Sequence, residues 1–354
     1  MAAEKFMQEL GVTIHHGGIA LGVSVGVKLG LFQSLAQLAQ SKDTAVTSQQ
    51  LADSLDFKER YVREWIGGMV CGNVVDHEEI DGVNKYWLEP YRLPTLLGTD
   101  MEWVACYSEI LRCAFAAAPM VEKCFPNSGP RGTEVDAYDD LHEFLRKRAV
   151  RWQKAENCKL ILEDEHLLAK LEAGLQVLEL GCGAAAPTKA MATLFPNSTF
   201  VASDLSESVL EGAKADCEGL SNVTCRTLDA CNIPADLAGQ FDLVMLFDVY
   251  HDVPQPQTLV DGALNLLKSG GQFFMNEIDV HERLTDNKNN KGIVSALYYT
   301  ISTMYCLPTC INTPGGEGLG ACGGKELYER RLKRSFTKVT RVGEKFGLYF
   351  LCTK

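Results

Sequence analysis

Residues 176–183, with the sequence Gln-Val-Leu-Glu-Leu-Gly-Cys-Gly, join an apolar strand to a glycine-rich turn. Gly181 and Gly183 permit a tight turn and let the backbone approach a ligand closely. Asp204 ends the next predicted strand, 21 residues after Gly183. A carboxylate there can accept hydrogen bonds from both ribose hydroxyls of a nucleoside. The pattern therefore predicts a nucleoside site, although the glycines alone fit nicotinamide, flavin and S-adenosylmethionine (SAM) sites equally.

Two later strand ends also carry side chains that could do chemistry. Asp229 follows a third apolar stretch, and the apolar strand at residues 241–248 ends in Asp248. His251 and Asp252 come directly after that strand. An unperturbed imidazole titrates near neutral pH, so His251 could take a proton from a hydroxyl group. The structural alternative is that the acids cap helices and that His251 packs within its loop.

The order of the predicted strands indicates one open α/β sheet. Five apolar stretches are separated by connecting segments between residues 176 and 278. Two further strands, at 338–342 and 346–353, are close enough in sequence to form an antiparallel hairpin. Open α/β sheets bind ligands outside the carboxyl ends of their strands, where these acids are expected.

In this order of elements, residues 155–354 resemble the class I SAM-dependent methyltransferases. The resemblance implies an α/β fold with a Rossmann-like seven-stranded sheet, SAM as cofactor and a small-molecule methyl acceptor. In that family the loop after strand 1 holds the methionine part of SAM, and the acid after strand 2 holds the ribose. The acid after strand 3 contacts the adenine, and the end of strand 4 faces the methyl group. The positions of this chain that match or adjoin those sites are Glu179, Gly181, Cys182, Gly183, Asp204, Leu205, Asp229, Ala230, Phe247 and Asp248.

The pair His251-Asp252 is similar to a His-Asp pair that follows the same strand in plant small-molecule O-methyltransferases. The resemblance implies that His251 is the general base and that Asp252 supports it as the second catalytic residue. The preceding residues, Phe-Asp-Val-Tyr, depart from the tryptophan-containing version common in the plant enzymes.

The thirteen cysteines do not indicate a disulfide framework. The chain is long, its cysteines are irregularly spaced, and its first residues lack the basic start and apolar core of a signal peptide. Reduced thiols and a cytoplasmic location are therefore expected. Cys306 and Cys310 lack the two-residue gap of a zinc knuckle, so no metal site is predicted. Methylation of a metalloid assisted by these two thiols is a minor alternative.

The first hundred residues predict a winged helix, which is a helix-turn-helix followed by a two-stranded wing. Thr47 and Gln50 form a capping-box pattern that opens the first of its helices. The predicted parts, in chain order, are helices at 49–55 and 57–69 and extended segments at 70–76 and 84–88.

Charge decides which partners suit this winged helix. The chain has a formal net charge of −12, and acidic residues outnumber basic ones within residues 48–92. Repulsion from phosphates disfavours nucleic acid, so protein contacts are expected. Residues 10–27 carry no charge, but they include two histidines and five glycines. They predict a buried helix at a domain or subunit interface and no membrane span.

The arrangement as a whole resembles the subgroup of methyltransferases that carry an N-terminal winged-helix domain. That resemblance implies a homodimer and these boundaries: residues 1–98 for a mainly helical winged-helix, dimerisation-like domain, 99–165 for a helical linker and substrate cover, and 166–354 for the methyltransferase domain. Tyr138 and His142 could line the cleft, or pack within the linker. One functional alternative is a SAM-binding regulatory or non-catalytic protein that uses the winged helix for protein or DNA contacts. An NAD-dependent oxidoreductase is the third functional class, after the methyltransferase and this alternative.

Overall fold

The computed structural model describes residues 1–98, 104–149, 164–320, 323–343 and 347–354. The chain divides into two compact units, Met1–Ala116 and Ala117–Lys354. The predicted boundaries at residues 98 and 165 stay predictions, because much of the predicted linker lies outside the described residues.

The first unit is mainly helical and contains one small antiparallel sheet. Its elements are α1 (Ala2–Lys28), α2 (Leu31–Leu38), α3 (Ser48–Ser54), α4 (Glu59–Cys71), β1 (Asp76–Ile80), β2 (Val83–Trp87) and α5 (Leu93–Leu97), and α6 (Tyr107–Val121) contains the residue at which the two units divide. Its core includes Phe32, Leu35, Leu51 and Ile66, all fully buried.

The helix-turn-helix and wing follow the predicted order. Thr47 accepts a hydrogen bond from the Gln50 backbone N–H, and the Thr47 N–H donates to the Gln50 side chain, which confirms the capping box. The predicted first extended segment, residues 70–76, is wrong except at its last residue, because β1 begins at Asp76. Helix α4 continues to Cys71, and the chain then turns at Asn73 with φ 57°. The apolar β-branched residues of this segment are typical of a strand, but here they end α4 and form the turn that follows it.

Helix α1 is exposed along most of its length within the single chain. Only Ser24 and Gly26 are buried in it. By length and composition alone, α1 and the stretch Val104–Cys124 could each cross a membrane, a test that core helices of soluble proteins also pass. Whether α1 lies at a subunit interface stays a prediction.

The second unit is built on a seven-stranded sheet with the strand order β5-β4-β3-β6-β7-β9-β8. Its strands are β3 (Gln176–Leu180), β4 (Thr199–Asp204), β5 (Val223–Thr227), β6 (Phe241–Phe247), β7 (Leu267–Glu277), β8 (Lys338–Gly343) and β9 (Leu348–Thr353). Strands β3 to β7 are parallel, and β9 is antiparallel to both β7 and β8. The predicted sheet and its terminal hairpin are confirmed, although residue 346 of the predicted last strand lies outside the described residues.

Helices flank this sheet, so the central strands are apolar on both faces. Residues 243–246 of β6 are fully buried, and they divide between two hydrophobic clusters. The helices of the unit are α7 (Asp139–Ala149), α8 (Glu165–Ala173), α9 (Ala186–Leu194), α10 (Glu207–Asp216), α11 (Pro256–Leu266), α12 (Leu284–Asn290), α13 (Ile293–Met304), α14 (Cys306–Asn312) and α15 (Lys325–Ser335).

The strand order reverses between β3 and β6, and open α/β sheets form their ligand crevice at such a point. The turn after β3 has positive φ at Gly181 (63°), Gly183 (52°) and Ala185 (51°). A Cβ at Gly181 would also lie 2.8 Å from a methyl group of Val249, in the loop after β6. The tight turn therefore requires glycine at 181, both for its backbone conformation and for its close approach to that loop.

Candidate functional site

Three acidic residues predicted from the sequence lie at the carboxyl ends of neighbouring strands. Glu179 lies near the carboxyl end of β3, Asp204 ends β4, and Asp248 follows β6. Because β3 lies between β4 and β6, these strand ends are neighbours. Glu277 ends β7, the next strand beyond β6. The parallel sheet therefore gathers four carboxylates from distant parts of the sequence.

Asp204 is held in place by backbone donors from two sides. Its Oδ2 accepts a hydrogen bond from Gly183 N at 3.0 Å, and its Oδ1 accepts one from Ser206 N at 3.0 Å. The carboxylate is half-buried, and the neighbouring Leu205 side chain is 69% exposed. The structure thus places Asp204 against the glycine turn, with an exposed apolar side chain beside it.

The other residues predicted on this side have different environments. Asp229 is half-buried, and its Oδ1 accepts a hydrogen bond from Cys231 N at 2.8 Å, while Ala230 lies partly buried between them. The Cys182 side chain is buried against Ala185, so it packs within the turn. Burial is the main cause that raises the pKa of the Cys182 thiol. Cys182 could offer a ligand its backbone, but its side chain faces the protein interior.

Glu179 is 1% exposed and ties β3 to the first turn of α9. Its Oε2 accepts hydrogen bonds from the Thr188 backbone N at 3.1 Å and from the Thr188 hydroxyl at 2.5 Å. Burial raises the pKa of Glu179 to about 8; the Thr188 hydrogen bonds oppose that shift, and the Asp204 charge adds to it. Glu179 therefore stabilises the turn between β3 and α9 through contacts in the protein interior.

On the other side of the switch point, His251 is clamped between two carboxylates. Its Nδ1 lies 2.6 Å from Glu277 Oε2, and its Nε2 lies 3.3 Å from Asp252 Oδ1. The ring is 6% exposed and Glu277 is 1% exposed. The second Glu277 oxygen accepts a hydrogen bond from Tyr250 N at 2.6 Å. Glu277 therefore positions both the imidazole and the backbone that carries it.

Sequence reasoning missed Glu277. The available signal was a pair of polar residues, Asn276 and Glu277, that closes the otherwise apolar end of β7. A polar pair at a strand end is common, and only the sheet order places this one beside the loop after β6.

Electrostatics favours the charged form of His251. Burial lowers its pKa, but Asp252 and Glu277 outweigh burial and raise it well above the usual 6.5. Burial raises the pKa of both Asp252 and Glu277, and the His251 charge opposes each shift. The imidazole and its two carboxylates therefore form one charge-paired group at the end of β6.

The end of β6 also carries an ion pair that the sequence did not reveal. Arg148 is near the end of α7, and its Nη2 donates a hydrogen bond to Asp248 Oδ2 at 2.9 Å. Asp248 has φ 60°, so the chain turns sharply where it leaves the strand. The Phe247 ring packs against Phe274 with centroids 5.7 Å apart. Asp248 thus joins the polar group, whereas Phe247 contributes packing.

Tyr138 and His142 contact the junction of α13 and α14. The Tyr138 hydroxyl donates to Met304 O at 2.9 Å, and its buried ring meets the Tyr305 ring edge-on at 5.0 Å. The Tyr305 hydroxyl lies 3.5 Å from His142 Nε2. For Tyr138 the packing alternative describes the observed contacts. The next residue after Tyr305, Cys306, is buried beside His251 and Asp252.

Two family models match this chain. A model described as "Methyltransferase domain" matches residues 171–333, and one described as "Rv2258c-like winged HTH domain" matches residues 17–96. The chain carries a methyltransferase domain behind a winged helix. The prediction of that domain pair from the sequence is confirmed.

Curated relatives support the same domain. The ubiquinone biosynthesis O-methyltransferase of Psychrobacter arcticus is 30% identical over 183 residues, which are 50% of this chain and 66% of that protein. Its counterpart in Xanthomonas axonopodis pv. citri is 32% identical over 117 residues, or 32% of this chain and 48% of that protein. The chain thus spans between about half and two thirds of the length of these relatives.

Solved structures show the fold over the whole chain. An O-methyltransferase family protein from Burkholderia thailandensis has a TM-score of 0.66 at 14% identity and covers 98% of this chain and 97% of its own. Human N-acetylserotonin methyltransferase, solved with SAM, has a TM-score of 0.68 at 15% identity, with the same two coverages. The predicted α/β fold class, a Rossmann-like seven-stranded methyltransferase sheet with an N-terminal, mainly helical winged-helix domain, is confirmed.

The buried state of Glu179 predicts a pH-dependent stability. The folded chain holds this proton more tightly than the unfolded chain, so the free energy of unfolding falls as pH rises from the ordinary value of 4.5 toward about 8. The loss reaches at most about 1.4 kcal/mol per pH unit. Glu179→Gln removes the titrating carboxyl and with it this pH-dependent loss. The free energy of unfolding of the variant, measured by urea unfolding, should therefore rise relative to that of wild type as pH increases across this window.

The control is Glu172→Gln, at an exposed position of α8. The same urea unfolding series on this variant supplies the baseline. A difference between Glu179→Gln and wild type that stays flat with pH would contradict the prediction.

Proposed function

We propose that this chain is a SAM-dependent methyltransferase that transfers a methyl group to a small-molecule acceptor, with a hydroxyl as the accepting group. The observation that carries the proposal is the placement of Asp204 and the His251–Glu277 pair on either side of the switch point of a methyltransferase domain. One side offers a nucleoside contact, and the other offers a buried proton-accepting group.

The described residues fit SAM as the cofactor. Space is open above Gly183, where an added Cβ would meet no atom within 4 Å. Asp204 would hold the ribose hydroxyls, Leu205 and the Asp229–Ala230 segment would adjoin the adenine, and the turn at Gly181 would admit the methionine part. When bound, SAM supplies a sulfonium methyl group that is already activated for transfer. The protein's task is then mainly to hold the reacting atoms in line.

His251 in its neutral form would accept the proton of a hydroxyl acceptor, and because its pKa is raised this form gains population as pH rises. Its Nδ1 faces Glu277, so Nε2 on the Asp252 side is the nitrogen that takes the proton. The two carboxylates stabilise the imidazolium that results. The non-catalytic alternative predicts SAM binding without transfer, and the assays below separate the two.

The ribose role of Asp204 can be tested by calorimetry with SAM. Asp204→Ala removes charge-assisted hydrogen bonds and should weaken binding by about 10- to 150-fold, equivalent to about 1.5–3 kcal/mol. Asp204→Asn keeps an acceptor for Gly183 N and serves as the control for the shape of the turn. Affinity unchanged in Asp204→Ala, or NAD bound more tightly than SAM by the wild type, would overturn the cofactor assignment.

The base role of His251 can be tested by turnover with labelled SAM and a panel of hydroxylated small molecules. His251→Ala should lower turnover by about 100- to 10,000-fold, the usual range for losing a general base. SAM affinity should stay unchanged, which also reports that the variant is folded. His281→Ala is the matched control, because His281 also pairs with a carboxylate, Glu326, in another part of the unit.

Near-normal turnover in His251→Ala would contradict the base role. It would indicate an acceptor that needs no base, such as a neutral amine, a thiolate or a carboxylate.

We further propose a cytoplasmic homodimer assembled through residues 1–98, without nucleic-acid or membrane partners. The support is the exposed apolar side of α1, formed by residues spaced for one helical face: Met7, Leu10, Ile14, Leu21 and Val25. The acidic winged helix offers phosphates little attraction. Burial of this α1 face against a second copy would remove it from water.

Light scattering tests the assembly on the full chain. The wild type should be a dimer, and Leu10→Glu combined with Ile14→Glu should give monomers, because the new charges would be buried at the interface. Gln8→Glu combined with His15→Glu introduces two glutamates on the other side of α1 and should leave the dimer intact. A wild type that stays monomeric at high concentration would end the idea, and salt-sensitive binding to duplex DNA would revive the regulator alternative.

A further inference from the structure

Beside the predicted base lies a set of three side chains with metal-binding chemistry. His251, Asp252 and Cys306 each contribute a ligand atom, and these atoms lie within 4.8 Å of one another. Glu277 engages Nδ1 of the imidazole, so Nε2 is the nitrogen that faces the group, 3.3 Å from Asp252 Oδ1. One nitrogen, one oxygen and one sulfur therefore converge from two segments distant in sequence.

A buried carboxylate oxygen of Asp252 faces this group with an ion pair but no hydrogen bond. Asp252 Oδ1 is inaccessible to solvent and makes no hydrogen bond with a described residue, and its charged neighbour is His251 Nε2 at 3.3 Å. The ion pair with His251 only partly replaces the hydration that this buried oxygen has lost, so a directly bound cation would complete its coordination. The Asp252 side chain as a whole is 29% exposed, so an ion could reach it from solvent.

The surroundings also match those of metal-binding histidines. Such a histidine usually donates its second ring N–H to a carboxylate, which fixes the ring orientation. Glu277 makes that contact at 2.6 Å and is itself held by Tyr250 N. The imidazole is therefore already oriented to present Nε2 to an ion.

The ligand types select the metal. Mg²⁺ and Ca²⁺ prefer all-oxygen sites, whereas a set of nitrogen, sulfur and one carboxylate oxygen suits Zn²⁺. Three protein ligands with a fourth position left open are typical of zinc sites that exchange an outer ligand. We propose that His251, Asp252 and Cys306 bind a Zn²⁺ ion.

Cys310, one helical turn after Cys306, does not belong to this site. Its Sγ lies 3.4 Å from Val253 O and accepts a hydrogen bond from Gly318 N at 3.3 Å. The partner of Cys306 is thus the His251-Asp252 pair and not the neighbouring cysteine. This inference departs from the sequence-based prediction of no metal, which compared the two cysteines only with each other.

Bound Zn²⁺ would occupy the nitrogen that the proposed reaction needs. With Nε2 coordinated, His251 cannot accept the proton of a hydroxyl, so Zn²⁺ would inhibit methyl transfer reversibly. The ion site stands without the proposed function; only this inhibition rests on it.

The test uses the full chain, freed of metal with a chelator and titrated with Zn²⁺ by calorimetry. Cys306→Ser should weaken the strongest binding event at least about tenfold, and Glu277→Gln should weaken it by about 10- to 100-fold. Cys310→Ser is the matched control and should bind like the wild type. Co²⁺ in place of Zn²⁺ should give a thiolate-to-metal absorption band that disappears in Cys306→Ser and persists in Cys310→Ser.

Equal Zn²⁺ affinity in wild type and Cys306→Ser, or a Co²⁺ band that survives without Cys306, would overturn the site. Turnover separates this failure from that of the proposed function. Cys306-dependent binding that leaves turnover unaffected would support the ion site and contradict the base role of His251.

Discussion

The buried Glu277 carboxylate is the contact on which the polar end of the sheet depends. It lies at the end of β7 and accepts hydrogen bonds from the loop after β6, through Tyr250 N and the His251 ring. A carboxylate this deeply buried would be costly without partners, and both of its oxygens have one. Removing either partner would leave a charge or a dipole unpaired in the interior, so the loop is held in one arrangement.

Glu179 does for the proposed cofactor side what Glu277 does for the proposed acceptor side. Each is a buried acid near the end of a strand, and each binds the segment that must be positioned. Glu179 holds the first turn of α9 through Thr188, and Gly183 in turn donates its N–H to Asp204. Hydrogen bonds made by these two buried acids therefore fix the segments on both sides of the site, and those segments orient the more exposed groups.

Burial of like charges is the cost of this design. Asp248, Asp252 and Glu277 cluster around one histidine, and Arg148 supplies a second positive charge at Asp248. The same crowding that raises the pKa of His251 makes the cluster attractive to a cation. A proton and a metal ion therefore compete for one location, which links the proposed base to the proposed Zn²⁺ site.

Much of this protein was determined by its sequence alone. The strands in their order along the chain, the glycine turn, the positions of Asp204 and His251 at strand ends, and the winged helix follow from local periodicity, turn chemistry and spacing, which act over a few residues. Tertiary structure alone decided that Glu277 faces His251, that Arg148 pairs with Asp248 and that Cys306 adjoins Asp252. These pairs are separated by tens of residues or more, and no local rule relates them. Their proximity arises because hydrogen bonding between parallel strands sets which strand ends become neighbours and how the intervening helices return to them.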